Sequence, residues 1–194
     1  MKSSFSIKEA VGFGWEKTKE HLWFLVGLFL FVAILAAGTD KIPGISFLIA
    51  IFASISIITA VLKISAGEKV AFKNLFEKYN VVLQYLVASI LYCIMVVLGL
   101  ILFIFPGIYL ALKFQFFRFL VVEKGMGPIE ALRDSGRMAK GNIWNLFKLI
   151  SVLAAINLLG ALIFGIGLLV TIPMTILALV YVYKKLLART PTLA

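Results

Sequence analysis

The chain has few of the side chains on which enzymes and metal sites depend. Its 194 residues include a single histidine, His21, a single cysteine, Cys93, and nine carboxylates against nineteen lysines and arginines. One cysteine excludes an internal disulfide, and one histidine with one cysteine cannot supply the ligands of a structural zinc site. The carboxylates are interleaved with lysines outside the apolar segments, as is typical of solvated helix faces. We therefore expect no enzymatic activity, no metal and no cofactor.

Charge is nearly absent from six long apolar segments. Hydrophobic residues make up 62% of the chain and the mean hydropathy is +1.08, whereas soluble domains are about 45–50% apolar. A helix needs about 20 apolar residues to cross a hydrocarbon core of about 30 Å. The predicted transmembrane helices cover residues 22–37, 42–62, 81–105, 108–122, 143–164 and 168–183. The sequence thus predicts an all-α membrane protein in which residues 1–194 form a single integral membrane domain.

The basic residues lie almost entirely on one side of these six segments. Fifteen of the nineteen lysines and arginines fall on that side, Lys41 falls on the other, and three lie within the segments. Because cytoplasmic loops carry such an excess, both termini are expected in the cytoplasm. Trp15, Trp23 and Trp144 fall near the same boundary, where indole rings act as interface anchors. The net charge of +10 predicts attraction to anionic lipid headgroups, and no nucleic-acid partner, since no aromatic–basic motif accompanies it.

Three segments that precede membrane spans share a helix-start pattern. Ser6 with Glu9, and Ser65 with Glu68, match a capping box, and Gly127-Pro128 is a variant of it. Apolar residues follow each start at helical spacing: Ile7, Val11 and Trp15; then Phe72, Phe76 and Tyr79; then Ile129, Leu132, Gly136 and Ala139. The pattern predicts three hairpins of spans, each preceded by a short amphipathic cytoplasmic helix. The repeat units would be residues 1–62, 63–124 and 125–194, and chance agreement between apolar segments is the alternative.

Several short motifs carry a family resemblance. They are FPGIYLALKF at residues 105–114, VVEKG at 121–125, EALRDS at 130–135, KGN at 140–142, and SIKEA followed by GWE near the N-terminus. The chain resembles poorly characterised bacterial membrane proteins, namely the membrane domain attached to some glycerophosphoryl diester phosphodiesterases and the six-helix YciC-type proteins. The resemblance implies a multi-pass protein of the bacterial plasma (inner) membrane, tied to lipid metabolism. It implies no activity, because the phosphodiesterase catalytic domain is absent from this sequence.

Polar residues inside the spans are the candidate functional residues, because ionisable groups are costly in a bilayer. These candidates are Lys113, Gln115, Arg118, Lys148 and Asn157. Gln115 and Arg118 are three residues apart and share a helix face, whereas Lys113 points elsewhere. Lys148 is expected to snorkel to the cytoplasmic headgroups, and snorkelling remains the alternative for Lys113 and Arg118.

Arg118 is predicted to turn toward the bundle interior and to form an ion pair. Its candidate partners are Glu123, just beyond the same span, and Glu130 or Asp134 on the third amphipathic helix. A pair with either of the last two would dock that helix against the bundle.

Two functions fit these features. The first is a non-catalytic membrane protein that binds lipids, or organises a membrane-protein partner or a second copy of itself, through its basic cytoplasmic face. The alternative is a transporter or lipid-translocating protein whose polar path lies near the fourth and fifth spans. A closed interior favours the first function, and a water-filled cavity at mid-membrane depth favours the second.

Overall fold

The computed structural model of the protein describes residues 5–39, 43–68, 70, 78–162 and 165–190. This part of the chain contains α-helices and no β-strand, which confirms the predicted all-α class. The helices are α1 (Ile7–Glu20), α2 (Leu22–Thr39), α3 (Pro43–Ser65), α4 (Val82–Leu102), α5 (Ile104–Phe114), α6 (Phe117–Lys124), α7 (Pro128–Ala139), α8 (Ile143–Leu162) and α9 (Leu168–Leu187). A 3₁₀ turn at Tyr79–Val81 leads into α4.

Five helical segments are long and apolar enough to cross a membrane. They are Ser46–Ser65, Val82–Leu102, Ile104–Lys124, Ile143–Leu162 and Leu168–Leu187. Helix α2 qualifies as a sixth only together with α1, from which it is bent by 87°. The chain is therefore a multi-pass membrane protein with five or six spans, and both the sixth span and the threefold repeat stay predictions.

The turn between the third and fourth predicted spans lies slightly earlier than the sequence indicated. The helical run breaks at Phe103, and Pro106 and Gly107 fall inside the first turn of α5 instead of forming the turn themselves. Proline is tolerated there because the first amides of a helix have no intrahelical acceptor. The fourth span also has a second break, at Gln115–Phe116 between α5 and α6.

Helix α1 begins as predicted but buries a different face. Ser6 caps it, since its side chain accepts a hydrogen bond from the Glu9 amide. The predicted apolar stripe included Trp15, which is exposed, whereas the buried residues of α1 are Ala10, Gly14 and Thr18. That face packs along α9. Small residues occupy this face because they let two helix backbones approach closely.

The predicted helix start at Ser65 is wrong. Ser65 is the last residue of α3, and its hydroxyl donates a hydrogen bond to the Leu62 carbonyl. The Glu68 amide donates to the Lys63 carbonyl across Gly67, whose φ is +76°. This left-handed glycine closes a helix C-terminus, so the same letters end a helix instead of beginning one. The expected helical positions Phe72 and Phe76 lie outside the described residues.

Helix α7 confirms the third predicted start and is more deeply packed than a helix resting on a membrane surface. Gly127 precedes it and Pro128 is its first residue. Its buried face includes Ala131, Ser135 and Met138, and it contacts α4, α5 and α6. Ile129, which the sequence placed on the apolar stripe, is 73% exposed. Helix α7 is therefore part of the core.

The buried core is concentrated at one end of the bundle. Helix α9 contributes many buried side chains, including Leu177, Val180 and Tyr183, and α1, α3 and α7 are among the helices that contact α9. Large apolar side chains are exposed toward the other end, at the α4–α5 turn (101–105) and at the end of α8 (158–162). Soluble proteins rarely expose apolar patches of this extent. In a bilayer the same surface faces lipid without cost.

Candidate functional site

The structure separates the intramembrane polar residues into distinct places. Gln115 and Arg118 line one cavity, and Lys113 lines a different cleft, which confirms that Lys113 points elsewhere. Asn157 lies apart from both and donates a hydrogen bond to the Thr175 hydroxyl, with 3.0 Å between Nδ2 and Oγ1. The described residues therefore do not join Lys113, Arg118 and Asn157 into one continuous polar path.

We call the cleft that Lys113 lines the basic cleft. It has a volume of about 530 Å³ and lies where α5, α7 and the start of α8 meet. Four cationic side chains line it together with aromatic, aliphatic and glycine residues: Lys113, Arg133, Arg137 and Lys140, with Tyr109, Phe114, Gly136, Gly141 and Ile143. A cleft with this lining presents positive charge beside an apolar wall, which suits an anionic amphiphile.

Gly136 allows Lys113 to enter the basic cleft. A Cβ atom at Gly136 would lie 3.3 Å from Lys113 Cε and 3.2 Å from the Phe114 ring, tighter than ordinary contact. The Lys113 ammonium lies 5.6 Å from the Tyr109 ring centroid and 5.2 Å from that of Phe114. Such cation–π contacts partly offset the free-energy cost of removing water from an ammonium group. Lys113 therefore shares this cleft with the cations of α7, and its snorkelling to headgroups stays a prediction.

The buried Asp134 carboxylate lies close to both arginines of the basic cleft. Its side chain is 3% exposed and accepts a hydrogen bond from Arg137, with 3.0 Å between Nη1 and Oδ1. Arg133 Nε lies 3.9 Å from the same oxygen. At the rim, Gly141 adopts a φ of +80° in the turn that carries Lys140. One carboxylate thus serves two guanidinium groups, and the cleft keeps a positive excess.

Ser135 connects α7 to the break between α5 and α6. Its hydroxyl accepts a hydrogen bond from the Phe116 amide at 3.1 Å and donates one to the Lys113 carbonyl at 3.2 Å. The break leaves these two backbone groups without helical partners, and a buried unpaired amide is costly. Helical periodicity gives no signal for this interaction, so sequence reasoning missed it. Ser135 docks α7 in the role that the sequence assigned to Arg118.

The predicted ion pair of Arg118 is wrong. Glu123 pairs with Lys184 of α9, and Asp134 is used by the arginines of its own helix. Glu130 is exposed on the far face of α7. Arg118 is exposed instead of turned into the bundle interior, and its Cζ lies 5.8 Å from the Phe117 ring centroid. Residues five apart on a helix point in different directions, which places Glu123 away from the Arg118 face.

Arg118 instead lines the cavity that it shares with Gln115, which we call the Arg118 cavity. Its volume is about 310 Å³, and it lies between α3, α4, the α5–α6 break and α9. The polar lining is Ser54, Tyr85, Tyr92, Gln115 and Arg118; the apolar lining is Ile57, Ile58, Phe116, Phe119, Ile176 and Leu179. Gln115 Nε2 is buried and has no hydrogen-bond partner among the described residues. Gln115 and Arg118 thus line the same cavity, although the break between α5 and α6 means that they do not share the face of one helix.

The three tryptophans are exposed, as interface anchors would be, with Trp23 and Trp144 in the first turns of α2 and α8 and Trp15 within α1. Trp23 is 87% exposed, and Trp15 and Trp144 are also exposed. The Lys148 ammonium lies 5.5 Å from the Trp144 ring centroid, so it extends back toward the start of α8. This direction agrees with snorkelling of Lys148, and the anchoring role itself stays a prediction.

No group of three or more His, Cys, Asp or Glu side chains comes together in the described ranges to hold a metal ion. Glu9, Glu20, Glu123 and Asp134 form ion pairs with lysines or arginines. Glu9, for example, accepts hydrogen bonds from Tyr181 at 2.9 Å and from Lys185 at 2.7 Å. These bonds hold the pKa of the Glu9 carboxyl below its ordinary value, because they favour the charged form.

Three similar proteins are each 29% identical to the chain over 142 residues. One is from Mycobacterium bovis and two are from strains of Mycobacterium tuberculosis, and all three are named only as uncharacterised proteins. The match covers 72% of this chain and 43% of each relative, so the chain spans less than half of their length. No sequence family matches the chain, and no solved structure matches it. The resemblance to the phosphodiesterase-linked and YciC-type membrane proteins therefore stays a prediction.

Proposed function

We propose that this multi-pass membrane protein is not an enzyme and that it binds anionic lipid headgroups at the basic cleft. The observation that carries the proposal is the convergence of Lys113, Arg133, Arg137 and Lys140 on one cleft. Guanidinium groups donate paired hydrogen bonds to phosphate oxygens, and the buried Asp134 holds one of the two arginines in place.

The apolar part of the cleft supports a lipid over a free phosphate ion. Tyr109 and Phe114 border the cations on α5, and Ile143 borders them on α8. A diacyl lipid carries apolar groups directly beside its phosphate, so it would contact both kinds of lining. Basic residues near an anionic membrane surface each contribute about 1 kcal/mol of attraction. The proposed lipid lies in the cytoplasmic leaflet of the bacterial plasma (inner) membrane.

Transport along a polar path has less support. The residues proposed for that path lie in three separate places within the described part of the chain. We retain a membrane-protein partner or a second copy of this chain as further occupants of the basic face. The proposed tie to lipid metabolism rests on the family resemblance alone.

The test measures stabilisation of the purified protein by lipid in a neutral detergent. Phosphatidylglycerol should raise the melting temperature of the parent protein, and phosphatidylcholine should not. Arg133→Gln with Lys140→Gln should remove most of this stabilisation, and it leaves the Arg137–Asp134 pair intact. The matched control is Lys8→Gln with Lys124→Gln, which removes two exposed cations outside the basic cleft. Equal loss of stabilisation in both double variants would reduce the effect to net charge and contradict the site.

A further inference from the structure

The Arg118 cavity contains an intramembrane cation that the described protein does not neutralise. Arg118 lies on α6, within the span Ile104–Lys124. The nearby carboxylates are engaged elsewhere, Glu123 with Lys184 and Asp134 with Arg137. Charged groups inside membranes are expensive and are normally paired. A guanidinium in this position therefore has the capacity to take an anion from outside the chain.

The polar wall of the cavity offers hydrogen-bond donors that are still free. Gln115 Nε2 is buried without a partner and lies three residues from Arg118, on the same side of the cavity. The hydroxyl groups of the lining have partners within the chain: Ser54 donates to the Ala50 carbonyl, Tyr92 donates to the Ala111 carbonyl, and Tyr85 is hydrogen-bonded with Ser54. An amide nitrogen beside a guanidinium presents several N–H groups and no negative charge. This pair recognises an anion with two acceptor oxygens.

The remaining wall of the cavity is apolar. Ile57 and Ile58 on α3 face Ile176 and Leu179 on α9, and Phe119 lies beside Arg118. At about 310 Å³, the cavity is at the small end of ligand pockets, which span about 300–1,000 Å³. A cavity of this size suits one alkyl chain better than two. The same lining excludes a small hydrophilic anion, because most of its surface would leave that ion without hydrogen bonds.

We propose that the Arg118 cavity binds the carboxylate of a single-chain fatty acid, with Arg118 and Gln115 holding the carboxylate oxygens and the α3 and α9 side chains holding the alkyl chain. This site is separate from the basic cleft in its position, its lining and its ligand. It goes beyond headgroup binding, because it receives a molecule within the span region. A carboxylate has two oxygens for the donors of Arg118 and Gln115, whereas a phosphate monoester has three terminal oxygens and would leave one of them without a donor.

The test is equilibrium binding of palmitate to the full chain in a neutral detergent, with hexadecanol and hexadecyl phosphate as comparison ligands. Palmitate should bind about tenfold or more tightly than hexadecanol, because charge-assisted hydrogen bonds distinguish them. Hexadecyl phosphate should bind more weakly than palmitate. Arg118→Gln should lower palmitate affinity by a similar factor. Equal affinity for palmitate and hexadecanol, or tighter binding of the phosphate, would overturn the proposal.

A second variant and a matched control keep the test independent of folding. Gln115→Leu removes a buried amide that lacks a partner, so it should leave the fold intact and weaken palmitate binding severalfold. The basic cleft variant Arg133→Gln with Lys140→Gln should bind palmitate as the parent does. Arg118→Gln should in turn keep its stabilisation by phosphatidylglycerol. Unchanged palmitate affinity in both Arg118→Gln and Gln115→Leu would refute the site, whatever the outcome at the basic cleft.

Discussion

Two glycines on α1 are expected to respond in opposite directions to the same substitution. A Cβ at Gly14 would lie 2.5 Å from the Met174 carbonyl oxygen and 3.1 Å from the Ala178 amide nitrogen. Both atoms belong to the backbone of α9, so α1 must move outward by about 1 Å to restore an ordinary contact distance. Gly12, two residues earlier, has nothing within 4 Å of the same position. Gly14→Ala therefore overpacks an interface, whereas Gly12→Ala adds only helix propensity.

The magnitudes follow from these contacts. Overpacking a close interface costs about 1–3 kcal/mol, and each kcal/mol lowers the melting temperature of a chain of this size by about 2–4 °C. Gly14→Ala should therefore melt about 2–12 °C below the parent. Gly12→Ala should be stabilised by about 0.5–1 kcal/mol, because alanine loses less backbone entropy in a helix. The assay is thermal unfolding by circular dichroism in one detergent. An upward shift in both variants would show that α1 does not pack on α9 in this way.

Three further outcomes are expected. The Glu9 pKa is held below its ordinary value of 4.5 by hydrogen bonds from Lys185 and Tyr181, so these bonds stabilise the folded state above pH 4.5 and are lost as the pH falls through the lowered pKa. The melting-temperature difference between the parent and Glu9→Gln should therefore shrink toward zero between pH 7 and pH 3, and a constant difference would contradict the pairing. Ser135→Ala leaves the Phe116 amide without its acceptor and should destabilise the protein by about 1–3 kcal/mol in chemical unfolding, whereas Ser151→Ala, at an exposed site, should have little effect. In a Cys93→Ser background, a cysteine at position 40 should react with a membrane-impermeant reagent in intact cells and one at position 189 should not; the reverse pattern would invert the topology.

The sequence was sufficient to predict structural features that depend on a single local segment, such as where most helices lie and where two of them begin. The apolar runs predicted the helices of the membrane domain, and Ser6 and Gly127-Pro128 predicted the starts of α1 and α7. Ser65 failed because the same letters, Ser-x-Gly-Glu, also end a helix. Only the left-handed conformation of Gly67 distinguishes the two readings, and backbone conformation is not written in a capping pattern.

Helix faces were less predictable than helix positions, since in a membrane apolar residues do not mark the interior. Trp15 and Ile129 are exposed, whereas Ala10 and Gly14 are buried. Lipid is as apolar as leucine, so helices associate where small residues permit close backbone contact. The α4–α5 and α8–α9 turns follow the same rule. A Cβ at Gly107 would lie 2.8 Å from the Leu100 amide, and one at Gly167 would lie 2.5 Å from the Gly160 carbonyl.

The ion-pair partner of Arg118 could not be predicted from the positions of charged residues along the chain. A cation within a span requires compensation, and the nearest carboxylate in sequence, Glu123, was a reasonable partner by distance along the chain. Helix α9 brings Lys184 to Glu123 instead, and Ser135 supplies the contact that docks α7. Both interactions join residues far apart in sequence, so no local pattern predicts them. With its predicted partners engaged elsewhere, Arg118 lies beside Gln115 in the lining of a partly apolar cavity, which is an arrangement that composition alone could not distinguish from a snorkelling anchor.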